Sequence, residues 1–346
     1  MAKPLEGQVA LVAGATRGAG RGIAVELGKA GAVVYCTGRS SRAGPSPMRR
    51  PEVIEETAEL IVAAGGTAHA LRVDHADEEA VKALIARIQA EQGRLDVLVN
   101  DLWGGDPMVD WSAKAWNLDI PAVRALIDQA LVSHLATARH ALPLMIEQKR
   151  GLVLEITDGL GDGYRGQILY DLIKSAVLRL GYAMAWDLKD TGVTALTLSP
   201  GFLRSEHVLE SFGVTEANWR DAAGRDPLFE QSETPFLIGR GIAALAADPD
   251  IGRLAGAALA SEDLVDLYGL QDIDGRTPHV YRHFDVLSER FASAEGPLED
   301  YGRFFAWAGY LRIHRDPAKA DLAGRLAAKL GWNHLPDALK PQGARA

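Results

Sequence analysis

The sequence lacks three features that would assign it to a special class of protein. It has one cysteine, Cys36, which lies in the apolar run AVVYCTG, so no disulfide can form within the chain. No apolar run approaches the roughly 20 residues of a membrane-spanning helix. Lysine and arginine number 37 against 46 acids, and this net charge of -9 argues against a nucleic-acid partner. We therefore expect a globular protein without membrane or nucleic-acid partners, and an N-terminus unlike a secretion signal favours the cytoplasm.

What the sequence does contain is an alternation of short aliphatic runs with longer helical patterns. The runs QVALVA, AVVYCTG, AHALRVD and LDVLVN fall in the first half, and GLVLEIT, VTALTLSP and the shorter AGAALA follow. Alternating strands and helices are typical of a parallel sheet that is covered by helices on both faces. The pattern predicts an α/β fold.

Two further segments differ from this alternation. Residues from about 202 to 235 are mixed in character and predict a mobile helical flap rather than core, placed over a substrate. Residues 288–346 contain two helical patterns rich in aromatic or aliphatic residues, and they predict a helical C-terminal extension. We thus expect one α/β domain over residues 1–287, which includes the flap, followed by the extension.

A glycine-rich loop, AGATRGAGRG, follows the first predicted strand and opens the first helix, with glycines at Gly14, Gly18 and Gly20. Glycines let a backbone approach a ligand closely, and a helix N-terminus offers unpaired N–H groups to phosphates. A glycine cluster in this position is typical of a dinucleotide site. The loop therefore predicts binding of a nicotinamide dinucleotide.

The end of the second strand, YCTGRSSR, indicates which dinucleotide is preferred. An NAD-binding site usually places an acid there to hold the ribose hydroxyls, but this chain has Arg39 instead. Arg39, assisted by Arg17 in the glycine loop and with Arg42 as a further candidate, has the geometry to pair with a 2′-phosphate. The sequence predicts NADP(H) in preference to NAD(H).

Taken together, these features resemble the short-chain dehydrogenase/reductase family, in register from about Gly7 to Gly275. The family's glycine pattern is matched by AGATRGAG, its aspartate after the third strand by Asp74 in RVDHAD, its YxxxK motif by YDLIK, and its PG motif by SPGFLRSE. The resemblance implies a doubly wound sheet of the Rossmann type. It also implies cofactor contacts from Gly14, Thr16, Arg17, Gly18, Ala19, Gly20, Arg39, Asp74, His75, Asn100, Tyr170, Lys174, Pro200, Gly201 and Ser205.

Tyr170 and Lys174 lie four residues apart, which places them on one face of a helix. In the resembling enzymes the tyrosine exchanges a proton with the substrate oxygen while hydride passes to or from the nicotinamide. A phenol is a poor base at neutral pH, so a nearby ammonium must stabilise its phenolate. The resemblance implies an NADP(H)-dependent oxidoreductase that interconverts a carbonyl and an alcohol on a small or medium organic substrate.

The chain departs from the family pattern at three places. The NNAG motif survives only as NDLW, in which Asn100 alone matches, and Ala130 stands where the family has an asparagine. The family's serine corresponds to Thr157 when residues are counted back from Tyr170, or to Asp158 when the strands are aligned. We favour Asp158, because a slip of one residue along a strand reverses its side chains. An ionised Asp158 cannot donate a hydrogen bond, whereas a buried, protonated one could, and the carboxylate could instead bind the substrate.

These departures leave alternatives open. A catalytically weak NADP(H)-binding sensor or scaffold of the same fold is the main one, and reduction of a carbon–carbon double bond is another. Family members usually pair through the long helices after the fourth and fifth strands, so the resemblance implies a homodimer or homotetramer. His279 and His283 have the spacing of a metal-binding pair but no acidic partner, so no metal is predicted.

Overall fold

The computed structural model describes residues 3–45, 48–158, 160, 164–313 and 316–332. The strands are β1 Val9–Ala13, β2 Val33–Gly38, β3 Thr67–Arg72, β4 Val97–Asn100, β5 Gly151–Ile156, β6 Val193–Ser199 and β7 Ala258–Ala260. The α-helices are α1 Gly18–Lys29, α2 Ile54–Ala63, α3 Glu78–Gln92, α4 Ile120–Ile127, α5 Ser133–Glu147, α6 Ile168–Asp187, α7 Glu206–Ser211, α8 Pro235–Ala247, α9 Ser261–Tyr268, α10 Val280–Ser293, α11 Asp300–Ile313 and α12 Ala320–Lys329. No helix in the described ranges is both long and apolar enough to span a membrane.

All seven strands pair in parallel, in the order β3-β2-β1-β4-β5-β6-β7. This arrangement confirms the predicted α/β fold with a doubly wound parallel sheet. The strand order reverses between β1 and β4, and such a reversal opens a crevice at the carboxyl ends of the strands.

The sheet is buried on both faces because successive side chains of a strand point to opposite sides. In β1, Ala10 and Val12 pack with residues of α1, α2 and α8. Val9 and Leu11 pack on the other face with residues of α3, α5 and α6. This double burial explains why the strands are continuous apolar runs rather than alternating ones.

The predicted long helix between β4 and β5 is interrupted. Residues Asp128–Val132 form a π-helical turn between α4 and α5, and Ala130 lies inside it. A π-turn places one extra residue in a helix and is often found at functional sites. The interruption thus falls where the family resemblance expects an asparagine.

The predicted flap, residues 202–235, contains α7 and two 3-10 turns, Trp219–Ala222 and Pro227–Gln231. Its helical character was therefore predicted correctly. Within it, Val214, Trp219, Ala222 and Phe229 form a buried cluster of their own, separate from the clusters on the two faces of the sheet. Large aromatic side chains exclude water from this cluster, although the local sequence mixes charged and apolar residues.

The chain divides into two compact units, residues 1–159 with 167–278, and residues 160–166 with 279–346. The predicted boundary at 287 lies inside α10, so the division falls earlier than expected. In the second unit α10, α11 and α12 pack around Tyr310, Ala323 and Leu326, which produces a helical extension as predicted. Residues 333–346 of that extension lie outside the described residues.

Candidate active site

A cleft opens at the carboxyl ends of the strands in the first unit. The predicted site residues that line it are Gly14, Thr16, Arg17, Gly18, Ala19, Arg39, Asp74, His75, Thr157, Asp158, Tyr170, Lys174, Pro200, Gly201 and Ser205. Gly20 and Asn100 are buried behind the cleft, in α1 and at the end of β4. The structure therefore brings together nearly all of the residues that the sequence assigned to one site.

The glycine loop packs tightly against the loop that follows β4. Gly14 has a φ of +93°, and a Cβ there would lie 2.0 Å from the Asp101 carbonyl oxygen. A Cβ at Gly20 would lie 2.4 Å from the Gly14 carbonyl oxygen. The Gly20 N–H donates to the Asp101 carboxylate, whose burial raises its pKa to about 6 although the Lys174 ammonium opposes that shift. Side chains at these glycines would thus separate two loops that must touch.

The first turn of α1 suits a phosphate ligand. It has no acidic residue of its own, and Arg17, which precedes it, gives its backbone no side-chain cap. One of its N–H groups, that of Gly18, instead donates to the Glu206 carboxylate over 2.8 Å, and Arg21 lies 3.4 Å from that carboxylate. An N-terminus with this glycine cradle fits a pyrophosphate, with Glu206 as an acidic neighbour.

Two of the three candidate arginines reach the cleft. Arg39 donates to the Gln129 side chain over 2.6 Å, and Arg17 contacts the Met48 sulfur over 2.6 Å. Burial lowers the pKa of Arg17. Arg42 instead forms a bidentate ion pair with Glu59, outside the cleft-lining residues. The structure therefore retains Arg39 and Arg17 as candidates for a phosphate contact and removes Arg42.

His75 is held between two hydroxyl groups on the cofactor side of the cleft. Its Nε2 lies 2.8 Å from the Thr37 hydroxyl, and its Nδ1 lies 2.8 Å from the Thr137 hydroxyl. Burial lowers the pKa of His75 to about 3. The imidazole is therefore neutral at physiological pH and lines the cleft beside Asp74 as a polar, uncharged surface.

Tyr170 and Lys174 lie in the first two turns of α6. Gln167 caps this helix by accepting from the Tyr170 backbone N–H over 2.8 Å, which fixes where the helix begins. The Tyr170 hydroxyl donates to the Asp158 carboxylate, which is exposed to solvent. The buried Thr157 hydroxyl donates to the Lys174 backbone carbonyl over 2.9 Å. Asp158, and not Thr157, is thus the upstream residue beside the tyrosine hydroxyl.

Tryptophans surround this pair. The Trp103 and Tyr170 rings meet edge to face, with 5.2 Å between centroids, and Trp111 lies 5.3 Å from Tyr170. The Lys174 ammonium lies 4.3 Å from the centroid of the Trp103 ring. The indole N–H of Trp103 donates to Asp106 over 2.6 Å. The departure from the family's NNAG motif therefore places an aromatic ring over the lysine, which sequence reasoning did not predict.

A buried polar cluster behind this loop was also missed. His134 in α5 lies 2.5 Å from the Glu155 carboxylate in β5, and Asn100 donates to the other oxygen of that carboxylate over 2.8 Å. Burial alone would lower the pKa of His134. The charge and the hydrogen bond of Glu155 raise the pKa by more than burial lowers it, so the net shift is upward. The available sequence signal was an acid in the apolar strand GLVLEIT, since a buried acid requires a partner.

Comparisons with known proteins agree with this geometry. A family model for short chain dehydrogenases matches residues 8–212. A mouse protein, dehydrogenase/reductase SDR family member 1, is 34% identical over 286 residues, which cover 80% of this chain and 86% of that protein.

Solved structures are similar as well. A metagenomic short-chain oxidoreductase in complex with NADP is 26% identical, with a TM-score of 0.55 over 71% of this chain and 93% of its own. A 7α-hydroxysteroid dehydrogenase complexed with NADH is 23% identical, with a TM-score of 0.60 over 74% of this chain and 93% of its own, and it supports the fold alone.

Proposed function

Because the chain belongs to the short-chain dehydrogenase/reductase family, and is an NAD(P)-dependent oxidoreductase on that ground, we propose that it uses NADP(H) to interconvert a carbonyl and an alcohol on a small or medium organic substrate. The observation that carries this proposal is the position of the Tyr170 hydroxyl. It lies in the same cleft as the glycine loop, one helical turn from Lys174, and it is hydrogen-bonded to an exposed carboxylate. A site that only binds a dinucleotide has no need of a proton donor in this place.

The preference for NADP(H) rests on this chain's own residues, because one structural relative is described with NADP and another with NADH. Arg39 and Arg17 both line the cleft, and no acid occupies the end of β2, which reads Thr37, Gly38 and Arg39. A guanidinium group can pair with a phosphate through two parallel hydrogen bonds. Arg39 would exchange its bond to Gln129 for the 2′-phosphate.

Within this proposal the chain's residues move one proton per turnover. The nicotinamide, when bound, supplies or accepts the hydride. In the reductive direction the Tyr170 O–H bond breaks and a new O–H bond forms on the substrate alkoxide, while Lys174 stabilises the resulting phenolate. The exposed Asp158 carboxylate then takes a proton from water and passes it to the Tyr170 phenolate, which returns both groups to their starting states. The exposed Asp158 thereby supplies a route to solvent that does not need an asparagine at position 130.

The outer faces of α5 and α6 support a proposed homodimer or homotetramer. Large apolar side chains are exposed there, among them Leu135 and Ile146 in α5 and Leu172, Tyr182 and Trp186 in α6. Solvent-exposed apolar surface of this extent is typical of an interface. We also retain the cytoplasm as the proposed compartment, since the single thiol, Cys36, is buried and forms no disulfide.

The alternative, a cofactor-binding sensor with little turnover, is supported by one observation. The Thr157 hydroxyl is bonded to the backbone of α6, so the family's hydroxyl is absent from the tyrosine side of the site. If the carboxylate of Asp158 held the tyrosine proton without exchanging it, the cleft would bind NADP(H) and perform little chemistry.

One experiment separates these functions. NADPH and NADH binding are titrated by fluorescence, and NADPH oxidation is followed with a panel of aldehydes, ketones, quinones and conjugated enones. We expect Tyr170→Phe to bind NADPH as the wild type does and to lose turnover by at least about 100-fold. Tyr182→Phe, an exposed tyrosine of the same helix, is the matched control and should change neither property.

Three outcomes would reject parts of the proposal. Binding without Tyr170-dependent turnover on any substrate would favour the sensor. A saturated carbonyl as the product of an enone would favour double-bond reduction. Tighter binding of NADH than of NADPH would reject the assignment of Arg39.

A further inference from the structure

The buried cluster behind the cleft contains an acid in the middle of the sheet. Glu155 in β5 has no exposed surface, and both of its carboxylate oxygens are bonded, one to the Asn100 amide and one to the His134 ring. An isolated buried carboxylate would be strongly unfavourable, so both bonds are required for its ionised form. The cluster is thus an organised hydrogen-bond network, and the proposed proton transfer does not involve it.

The hydrogen-bond pattern determines where the protons lie. The Nε2 of His134 lies 2.9 Å from the Leu102 backbone carbonyl oxygen, which can only accept, so Nε2 carries a proton and donates it. The Asn100 amide donates to Glu155, which favours an ionised carboxylate. The other ring nitrogen then carries the proton that it shares with Glu155. His134 is therefore an imidazolium paired with a carboxylate.

The carbonyl that His134 holds belongs to the loop that shapes the site. Leu102 lies between Asp101, whose carboxylate accepts from the glycine loop, and Trp103, whose ring lies over the Lys174 ammonium. The ring of His134 links α5 to this loop. His134 lies in the first turn of α5, directly after the π-turn that contains Ala130.

We propose that His134 is a positioning residue: its imidazolium, paired with the buried Glu155, holds the Leu102 carbonyl and so keeps the Trp103 ring over the Lys174 ammonium. A cation over an indole face is stabilised by the charge distribution of the ring. The ring thus fixes the place of the ammonium that must stabilise the tyrosine phenolate. This inference rests on the proposed function for its kinetic consequence, but its structural consequence is independent of turnover.

The charged groups that face His134 come from several elements. Besides Glu155 in β5, they are His75 after β3, Asp101 after β4 and Lys174 in α6. His75 is neutral and Lys174 opposes the imidazolium, so Glu155 is the group that keeps His134 protonated. Without the carboxylate, His134 would release its proton at lower pH.

Two substitutions at one position divide the contacts of His134. Asparagine places its amide near the former Nδ1 and keeps a donor to Glu155, whereas glutamine reaches the former Nε2 and keeps a donor to Leu102. We expect His134→Asn to lower kcat about tenfold with little change in the KM for NADPH, and His134→Gln to keep most of the wild-type kcat. A purely structural role would give similar losses in both variants.

The first readout needs no activity. In the cofactor-free protein, the indole N–H signal of Trp103, assigned from Trp103→Phe, is followed in a proton–nitrogen NMR spectrum. It should shift in His134→Asn and stay near its wild-type position in His134→Gln. An unshifted signal in folded His134→Asn would overturn the proposal, even if the wild type had no turnover on any carbonyl and the proposed function had failed.

The second readout is the coupling between His134 and Trp103. If His134 acts through the ring, Trp103→Leu should lower kcat in the same way, and His134→Asn should add little to it, because the two changes break one chain of contacts. Additive losses would overturn the proposal. If His134→Asn does not fold, an unchanged kcat in Trp103→Leu alone would also overturn it.

The third readout is the pH profile of kcat in Glu155→Gln. Removal of the carboxylate lowers the pH at which His134 releases its proton. A neutral ring has one N–H for two nitrogens and no longer always donates to Leu102, so the alkaline limb of the profile should move to lower pH. An unmoved limb in a folded Glu155→Gln would show that the protonation of His134 does not support the site.

Discussion

The two sides of the cleft use different physical means to build a site. The cofactor side, defined by the glycine loop of residues 14–20, the end of β2 and the loop after β3, offers backbone N–H groups, guanidinium groups and a neutral imidazole. The catalytic side, defined by residues 101–105, the end of β5 with Asp158, and the first two turns of α6, offers side chains in contacting pairs. These pairs are Asp158 with Tyr170 and Trp103 with Lys174.

The difference shows how each side can tolerate change. Backbone groups and glycines leave little choice of residue, because any Cβ at Gly14 would collide with the neighbouring loop. In a pair of side chains one member can differ while the other stays, as an acid beside the tyrosine and a ring over the lysine illustrate. The catalytic side therefore departs from the family pattern at Asp158 and Trp103 while its tyrosine and lysine remain in place.

The largest expected effect comes from Gly14, where the two sides touch. Gly14→Ala adds a Cβ 2.0 Å from the Asp101 carbonyl oxygen and also strains a residue with positive φ. We expect the free energy of unfolding to fall by about 3 kcal/mol and NADPH binding to be lost. Urea unfolding and fluorescence titration measure the two effects. Gly44→Ala, whose added Cβ meets no atom within 4 Å, is the control. Near-normal NADPH binding by Gly14→Ala would show that the two sides of the cleft are independent.

A smaller effect should be confined to the cofactor side. Arg39→Ala should weaken NADPH binding by roughly 10- to 100-fold and leave NADH binding almost unchanged, because it removes a charged pair with the 2′-phosphate. Arg42→Ala is a matched control, since that arginine pairs with Glu59 outside the cleft. Equal losses for both dinucleotides would mean that Arg39 shapes the cleft without reading the phosphate.

Two buried groups should make stability depend on pH in opposite ways. Beside the PG motif, buried Glu233 accepts from the Gly201 N–H and the Ser261 hydroxyl. Burial raises its pKa to about 8 from 4.5, with Asp272 adding to the shift and Arg204 opposing it. The folded protein therefore holds a proton that the unfolded chain loses between pH 4.5 and 8. This contribution is complete below pH 4.5 and is lost as the pH rises through 8.

Glu233→Gln cannot ionise, so its free energy of unfolding relative to the wild type should increase by roughly 4 kcal/mol between pH 5 and 9. Denaturant unfolding across that range checks the prediction, with Glu147→Gln, an exposed acid of α5, as the control. The depressed pKa of His75, about 3 against 6.5, has the opposite sign, and its contribution is lost as the pH falls through that range. If the free energy of unfolding of Glu233→Gln relative to the wild type did not change with pH, the contrast between Glu233 and His75 would be rejected.

The sequence was sufficient to predict the parallel sheet, the glycine loop and the meeting of Tyr170 with Lys174, because spacing and strand order determine them. It could not predict the bond between His134 and Glu155, which joins residues far apart in the chain. Nor could it place the Trp103 ring, since the path of a loop depends on packing that no local pattern encodes. The position of Asp158 lay between these cases, because the alternation of side chains along β5 favoured Asp158, which is the residue that the Tyr170 hydroxyl contacts in the structure.

The most direct measurement of the central claim, that the catalytic side is rearranged and still transfers protons, is the kcat for NADPH oxidation in Asp158→Asn and Asp158→Ser. Asparagine keeps the shape of the Asp158 side chain but cannot exchange a proton with water. Serine restores the family's hydroxyl, while position 130 remains an alanine in place of the family's asparagine. We predict that both variants bind NADPH normally and lose about tenfold in kcat, because each closes the route from Tyr170 to solvent. A higher kcat in Asp158→Ser than in the wild type would contradict the account, since Asp158 would then only block the place of a lost hydroxyl.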